Sequence, residues 1–124
     1  MTRFKSQGFS NTFRNARKGF RLVLKSEMNI RIHVIIALFV LLCAYLLNFS
    51  AVEYCALLFA IAIVIVSEML NTAIEFTLDA VFHNRYSRMV GMAKDISAGA
   101  VMFASFISVF VGLILFGKHI LALV

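Results

Sequence analysis

Residues 67–79 read SEMLNTAIEFTLD and directly continue an apolar run, residues 54–66, that carries no charge. On a helix, which turns by about 100° per residue, the three carboxylates and the asparagine of this segment share an arc of roughly 80°. We call them the acidic stripe: Glu68, Asn71, Glu75 and Asp79. Carboxylates near a bilayer are costly and repel one another, so the stripe requires positive compensation. A divalent cation such as Mg²⁺ is the simplest candidate.

The whole chain has the composition of an integral membrane protein. Of its 124 residues, 62% are hydrophobic and 15% are charged, and the mean hydropathy is +0.94. A soluble domain of this size could not bury so much apolar surface, so we expect a single membrane domain over residues 1–124. In a soluble protein the net charge of +6 would suggest nucleic acid. Here anionic lipid headgroups explain it better, and no nucleic-acid partner is expected.

The first 26 residues predict an amphipathic helix lying on the membrane surface. From Phe13 onward, apolar and basic side chains form two neighbouring stripes at helical spacing. Ser10, Asn11 and Thr12 are the candidate N-caps of this helix. Its cations either anchor the helix to lipid headgroups or grip nucleotide phosphates.

Hydropathy predicts three membrane-spanning helices after the surface helix, which makes the fold class all-α. The predicted spans are residues 30–49, 52–82 and 92–117, and a polar loop over residues 83–91 joins the last two. A second helix that continues to Val81 would be about 45 Å long, so its acidic end would project beyond the bilayer core.

Charge counting predicts the orientation of these spans. Eight Lys and Arg residues lie in residues 1–31, three (Arg85, Arg88 and Lys94) lie between the second span and the uncharged part of the third, and one follows the third. The positive-inside rule therefore places the N-terminus and the loop over residues 83–91 in the cytoplasm. Five of the six acidic residues then lie at the cytoplasmic face, where ATP is found.

One motif imitates a phosphate-binding loop and is set aside. Residues 112–119 read GLILFGKH, in which His119 replaces the Ser or Thr that would bind Mg²⁺. No strand precedes this segment, and it lies at the outer end of a predicted span. The three histidines of the chain also lack metal-ligand spacing, so interfacial or loop positions are the simplest interpretation of each.

Three residues outside the acidic stripe complete a set suited to phosphoryl transfer. Lys94 could neutralise a polyphosphate, and Asp95 follows it directly. Glu27 is either an exposed acid paired with Arg31 or a metal ligand facing the stripe. From these residues alone, a kinase, a proton-coupled transporter and a structural membrane protein all remain open.

The spacing Glu68-x-x-Asn71-x-x-x-Glu75-x-x-x-Asp79, followed by Ala93-Lys94-Asp95, resembles the prokaryotic diacylglycerol kinase family of small membrane lipid kinases. The resemblance covers nearly the whole chain. It implies a multi-pass enzyme of the bacterial cell membrane that uses ATP and Mg²⁺ to phosphorylate a lipid. It also implies a homotrimer whose active sites are shared between neighbouring subunits, with the site facing the cytoplasm.

The resemblance implies roles for individual residues. Glu68 looks like the catalytic base and, with Ala98, a contact of the lipid substrate. Glu27 and Glu75 resemble the Mg²⁺ ligands. The positions that match the nucleotide site are Arg17, Asn71, Asp79, Arg85, Tyr86, Lys94 and Asp95.

The predicted lipid is undecaprenol, and diacylglycerol is the alternative. The segment Glu27-x-Asn29-x-Arg31-x-His33 is similar to the branch of the family that phosphorylates undecaprenol. The diacylglycerol branch carries an acid in place of His33. The surface helix also departs from the diacylglycerol-specific members, because Asn15 and Ala16 stand where those have Tyr and Ser.

Overall fold

The computed structural model describes residues 8–124, and every regular element in that part of the chain is a helix. The four helices are α1 (Phe9–Ser26), α2 (Met28–Leu46), α3 (Ala51–Val81) and α4 (Arg88–Leu123). The last three are long and apolar enough to cross a membrane. The all-α membrane fold predicted from the sequence is therefore confirmed, and α1 is compatible with a surface helix.

Helix α1 begins earlier than the sequence suggested. Its N-cap is Gly8, which provides no side-chain hydrogen bond, so the predicted caps at Ser10, Asn11 and Thr12 were wrong and lie inside the helix. Phe9 is exposed, as is most of α1. At the other end, Glu27 has an extended backbone (φ −116°, ψ 114°) that separates α1 from α2. This single residue redirects the chain from the surface helix into the first span.

A tight turn joins α2 to α3. Asn48 adopts a positive φ of 58°, a conformation that Asn tolerates better than most residues. Ser50 and Glu53 then form a capping box: Ser50 N donates to Glu53 Oε1 (3.0 Å), and Glu53 N donates to Ser50 Oγ (3.3 Å). These bonds satisfy backbone donors at the start of α3, which fixes the helix beginning at Ala51. We call this end of the molecule the hairpin end.

The C-terminal part of α4 is attached to the hairpin end. His119 Nε2 lies 2.7 Å from Glu53 Oε2, and the imidazole stacks on Phe49 with ring centroids 4.6 Å apart. Lys118 Nζ lies 3.8 Å from the same carboxylate oxygen. Helix α4 consequently continues to Leu123, past the predicted limit at residue 117. The GLILFGKH segment is helical throughout and forms no phosphate-binding loop.

The other end of α4 is also longer than predicted. The helix begins at Arg88, because Ser87 Oγ accepts a hydrogen bond from Val90 N (3.2 Å) and caps it. The loop expected over residues 83–91 is correspondingly shorter. Small residues then let α4 pack closely on α3: Ala104 is buried, and Ser108 Oγ donates to the Ala60 carbonyl oxygen at 2.7 Å.

Candidate active site

The acidic stripe runs lengthwise along α3, from an apolar level to a polar one. At about 1.5 Å of rise per residue, Glu68 lies about 22 Å along the helix from Glu53, and Asp79 lies about 39 Å from it. The hydrocarbon core of a bilayer is about 30 Å thick. With Glu53 at one membrane surface, Glu68 lies inside the apolar zone and Asp79 lies beyond the opposite surface. The stripe therefore crosses an interface between lipid and water.

Helix α4 fixes the middle of the stripe through one serine. Ser97 Oγ donates a hydrogen bond of 2.7 Å to Asn71 Oδ1, and Asn71 Nδ2 donates one of 3.3 Å to Glu75 Oε1. Ser97 is itself buried, and Asn71 and Glu75 are half-buried. The amide of Asn71 thus has a single orientation, with its NH₂ group directed at the carboxylate of Glu75.

The polar end of the stripe is bound by a lysine. Lys94 Nζ donates a hydrogen bond of 2.8 Å to Asp79 Oδ1, joining the start of α4 to the end of α3. Both side chains remain more than a third exposed. The ammonium group is therefore held in place by Asp79 and still accessible to a ligand.

A polar cavity of about 360 Å³ opens beside this pair. Its lining residues come from the ends of α3 and α4 and from the loop between them: Asp79, Asn84, Arg85, Tyr86, Val90, Gly91, Lys94 and Asp95. Five of these residues belong to the nucleotide site that the sequence resemblance implied. Two cations and two acids in one cavity can bind an anionic ligand together with groups that donate hydrogen bonds.

The loop that borders the polar cavity depends on unusual backbone conformations. His83 and Asn84 both have positive φ, 51° and 60°, so the chain reverses directly after α3. Tyr86 then lies across Gly91, where a Cβ atom would come within 2.9 Å of the tyrosine ring. Gly91 leaves the space that Tyr86 occupies, and this sets the shape of the cavity wall.

Glu68, the candidate base, is the buried end of the stripe. Its side chain is 10% exposed, and its Oε1 lies 3.4 Å from His33 Nε2 on α2. Thr72, one turn further along α3, is buried as well. A carboxylate at this level is shielded from water but lies at the border of the apolar part of the protein.

An apolar cavity of about 300 Å³ extends from His33 towards the hairpin end. It lies between α2, α3 and α4, and its lining includes Ala37, Val64, Ser108 and Phe116. Almost all of its surface is aliphatic or aromatic. The cavity is suited to a hydrocarbon chain, and its His33 end lies next to Glu68.

The two predicted metal ligands differ in their surroundings. Glu75 accepts the hydrogen bond from Asn71 on one oxygen. Glu27 is half-buried, and among residues 8–124 no side chain forms an ion pair or hydrogen bond with its carboxylate; the alternative pairing with Arg31 is not formed. Carboxylate oxygens are ligands that Mg²⁺ prefers, so the chemistry of both groups fits this ion. No group of three or more His, Cys, Asp or Glu side chains in residues 8–124 is arranged to hold a metal.

The remaining predicted contacts lie on exposed surfaces. Arg17 is exposed on α1, and Ala98 is exposed on α4 directly after Ser97. Neither has a hydrogen bond or ion pair by which its role could be inferred from the described chain. Their assignment to the nucleotide and the lipid, respectively, therefore stays a prediction from the resemblance.

Two residues of the site were missed from the sequence. The sequence did not single out Ser97 as a site residue, and His33 was interpreted as an interfacial or loop histidine. Helix length gives only a partial signal for the second: His33 lies about 21 Å from Leu47 along α2, and Glu68 lies about 26 Å from Ala51 along α3. These similar distances from one tight turn place the two residues within about one helical turn in height, but the rotation of the helices decides whether they meet.

The sequence of the chain is similar to those of known lipid kinases. The profile of a family described as prokaryotic diacylglycerol kinase matches residues 14–116. The chain is 33% identical over 108 residues to the undecaprenol kinase of Bacillus subtilis, covering 87% of each protein. It is 34% identical over 101 residues to a diacylglycerol kinase of Synechocystis, covering 82% of this chain and 58% of that protein. It is 29% identical over 102 residues to the diacylglycerol kinase of Escherichia coli K12, covering 82% and 83%.

Proposed function

Because the chain belongs to the prokaryotic diacylglycerol kinase family, we propose that it transfers the γ-phosphoryl group of MgATP to undecaprenol. The family resemblance predicted from the sequence is confirmed, and with it the prediction of a bacterial membrane lipid kinase that uses ATP. The transporter and structural alternatives are set aside. Beyond this, we propose undecaprenol as the lipid, Mg²⁺ as the metal ion and a role for each residue of the site.

One observation carries the proposal: the buried Glu68 carboxylate stands between an apolar cavity and a polar one. A lipid kinase has to bring a hydroxyl on a hydrocarbon chain to a water-soluble triphosphate. Here the apolar cavity ends beside Glu68 at His33, and the acidic stripe continues from Glu68 towards Asp79 and the polar cavity. The reacting groups of the two substrates would meet at the level of Glu68 and Glu75.

In this reaction Glu68 acts as the general base. Its carboxylate accepts the proton of the lipid hydroxyl, the resulting oxygen forms a bond to the γ-phosphorus, and ADP leaves. Since phosphoryl transfer depends mainly on positioning and on neutralising charge, the protein needs few reacting groups. Burial of Glu68 excludes water that would compete with the lipid hydroxyl.

The polar cavity binds the nucleotide. Lys94, fixed by Asp79, presents an ammonium group to the phosphates, and Arg85 adds a second cation. Tyr86 offers an aromatic surface beside them. Asp95, and Arg17 of the surface helix, complete the nucleotide contacts that the resemblance implies.

Glu27 and Glu75 are the residues that would hold Mg²⁺. Magnesium usually takes one or two protein carboxylates and completes its coordination with phosphate oxygens and water. When bound, the ion neutralises the phosphate oxygens on which charge is concentrated. The hydrogen bond from Asn71 orients the Glu75 carboxylate, and Glu27 stands at the junction of α1 and α2 with no cationic partner among residues 8–124.

Undecaprenol is favoured over diacylglycerol by the character of the apolar cavity. A polyprenol has one terminal hydroxyl, whereas diacylglycerol has two ester carbonyls near its hydroxyl that lose hydrogen bonds with water on entry. The polar side chains among the cavity residues are His33, Ser105 and Ser108, and Ser108 already donates to Ala60. The relative from B. subtilis named undecaprenol kinase supports the same choice, and the names of the other relatives favour diacylglycerol as the second candidate.

The arrangement in the membrane follows the positive-inside rule, with the N-terminus and the polar cavity in the cytoplasm. We also propose the homotrimer that the family resemblance implies, with active sites shared between neighbouring copies. Many large apolar side chains of α2, α3 and α4 are exposed in the single chain, which leaves surface for both lipid and a second copy.

The test uses protein purified in one detergent, with radiolabelled ATP and two lipids, undecaprenol and a diacylglycerol. We expect a higher kcat/KM for undecaprenol. Equal or reversed preference would overturn the choice of lipid and leave the lipid kinase in place. The Glu68→Gln variant is the control for contaminating kinases, and it should form either lipid phosphate at no more than about a hundredth of the wild-type rate.

A further inference from the structure

His33 is the histidine whose ring approaches the candidate base. Its Nε2 lies 3.4 Å from Glu68 Oε1, while the side chains are 30% and 10% exposed, respectively. Among residues 8–124, no other side chain forms a hydrogen bond or ion pair with the Glu68 carboxylate. The orientation of this carboxylate therefore depends on one neighbour from another helix.

The packing of α2 on α3 keeps His33 at this height. Ile30, Ala37 and Ala44 are buried, and at about 100° per residue they share one face of α2 with His33. Ile30 is completely buried, and Ala44 contributes to a core cluster with Phe49 at the hairpin end. Rotation or sliding of α2 that would withdraw the imidazole would also expose this face.

His33 also lines the apolar cavity, which Glu68 does not. A hydroxyl group that reaches Glu68 from the cavity therefore passes the imidazole ring. The ring can act in two ways: it can bind the substrate, or it can hold the Glu68 carboxylate in the orientation that accepts the proton.

We propose that His33 is a positioning residue, whose imidazole orients the Glu68 carboxylate towards the lipid hydroxyl. The proposal rests on the proposed role of Glu68 as the base. General bases are commonly oriented by a third group, because a freely rotating carboxylate spends little time in the productive geometry. The separation of 3.4 Å is longer than a strong charge-assisted hydrogen bond, and such contacts often shorten once substrate is bound.

The test compares His33→Leu, which removes the ring nitrogens, with His33→Gln, which keeps a donor of similar reach. The His119→Gln variant at the hairpin end is the matched histidine control. We expect His33→Leu to lower kcat by about tenfold, a typical effect for residues in contact, and to leave both KM values within about twofold. We expect His33→Gln to recover most of the rate, and His119→Gln to match wild type at a temperature where it is folded.

A double-mutant cycle then separates positioning from substrate binding. If His33 acts through Glu68, adding His33→Leu to Glu68→Gln should cause no further loss of the residual rate. Additive losses, a raised lipid KM at unchanged kcat, or equal loss in His33→Leu and His33→Gln would each overturn the proposal.

A spectroscopic measurement tests the contact without relying on turnover. The ¹⁵N resonances of the His33 imidazole should change in Glu68→Gln, whereas those of His119 should not. Unchanged His33 resonances would overturn the positioning role even in an active kinase. Absence of any lipid phosphorylation by the wild-type protein would instead overturn the proposed function, and the positioning role with it.

Discussion

Ser97 on α4 donates a hydrogen bond of 2.7 Å to Asn71 Oδ1 on α3, and this bond holds the Asn71 side chain beside Glu75. The NH₂ group of Asn71 faces Glu75, because a carboxylate can only accept a hydrogen bond. A small residue that lets two membrane helices approach closely therefore also orients a carboxylate of the site. Helix packing and site geometry depend here on the same side chain.

We expect Ser97→Ala to leave the half-buried Asn71 oxygen without its partner, at a cost of about 1–3 kcal/mol in stability. The Asn71 side chain then keeps only its bond to Glu75 and is held less firmly, so the rate should fall and the Mg²⁺ requirement should rise. Thermal unfolding and steady-state kinetics check the two effects. Thr77→Ala is the control, since it removes a hydrogen bond of the same length, to the Ala73 carbonyl oxygen, on an exposed face of α3 outside both cavities. Equal kinetic losses in both variants would contradict the role of Ser97.

We expect Glu68→Gln to abolish turnover while the affinity for MgATP stays within a few-fold of wild type. Loss of a general base typically lowers the rate by about 10²–10⁴-fold. Lipid phosphorylation and nucleotide binding by calorimetry check the two statements. Glu53→Gln alters a carboxylate of the same helix at the hairpin end and should retain activity. Turnover of Glu68→Gln above a tenth of wild type would remove Glu68 from this role.

We expect Glu27→Ala and Glu75→Ala each to raise the Mg²⁺ concentration needed for half-maximal rate. Both acids have the hard oxygen donors that Mg²⁺ requires, and each variant removes one of them. A magnesium titration at saturating ATP is the measurement. If neither titration moves, the shared-metal hypothesis is wrong; if only one moves, the other residue has been assigned incorrectly.

We expect Lys94→Met to raise the KM for MgATP, because the ammonium group fixed by Asp79 would no longer meet the phosphates. The KM for the lipid should change little, since the polar cavity is separate from the apolar one. Lys118→Met is the matched control on the same helix, where the lysine lies near Glu53 at the hairpin end. A similar rise of the MgATP KM in both variants would point to a general electrostatic effect.

We expect His119→Ala to lower the midpoint of thermal unfolding without changing the rate at low temperature. The variant removes both the contact with Glu53 and the stacking on Phe49, which together hold the end of α4. Circular dichroism in detergent gives the midpoint. Lys118→Ala should shift it less, because Lys118 is largely exposed and lies 3.8 Å from its partner.

Much of the fold could be predicted because hydropathy and periodicity are local properties. The apolar runs indicated three spans, and the spacing of Glu68, Asn71, Glu75 and Asp79 placed them on one helical face. Helix ends were predicted less well, since they depend on caps that compete with neighbouring signals. Ser87 caps α4, so that this helix begins at Arg88. Gly8 is the N-cap of α1, although better capping residues follow it.

Most contacts between helices could not be predicted from the sequence. The approach of Lys94 to Asp79 followed from an expected cluster at one membrane face, but its partner could not be chosen among several acids. The pairs Ser97–Asn71 and His33–Glu68 join residues on different helices, and both depend on helix rotation. Hydropathy averages over that rotation, so it carries no information about which polar side chain meets which.

Helix α3 is unbroken from Ala51 to Val81, and the chain contains no proline that could bend it. Polar groups near both membrane surfaces fix this straight helix in the bilayer. The depth of Glu68 in the membrane is therefore set by its distance from Glu53. In a bilayer of different thickness, α3 has to tilt or the surrounding lipid has to stretch or thin. Either response shifts Glu68, the proposed base, relative to the lipid hydroxyl. The acyl-chain length of the host membrane would therefore tune the rate of this kinase, even though the host lipids are not its substrate.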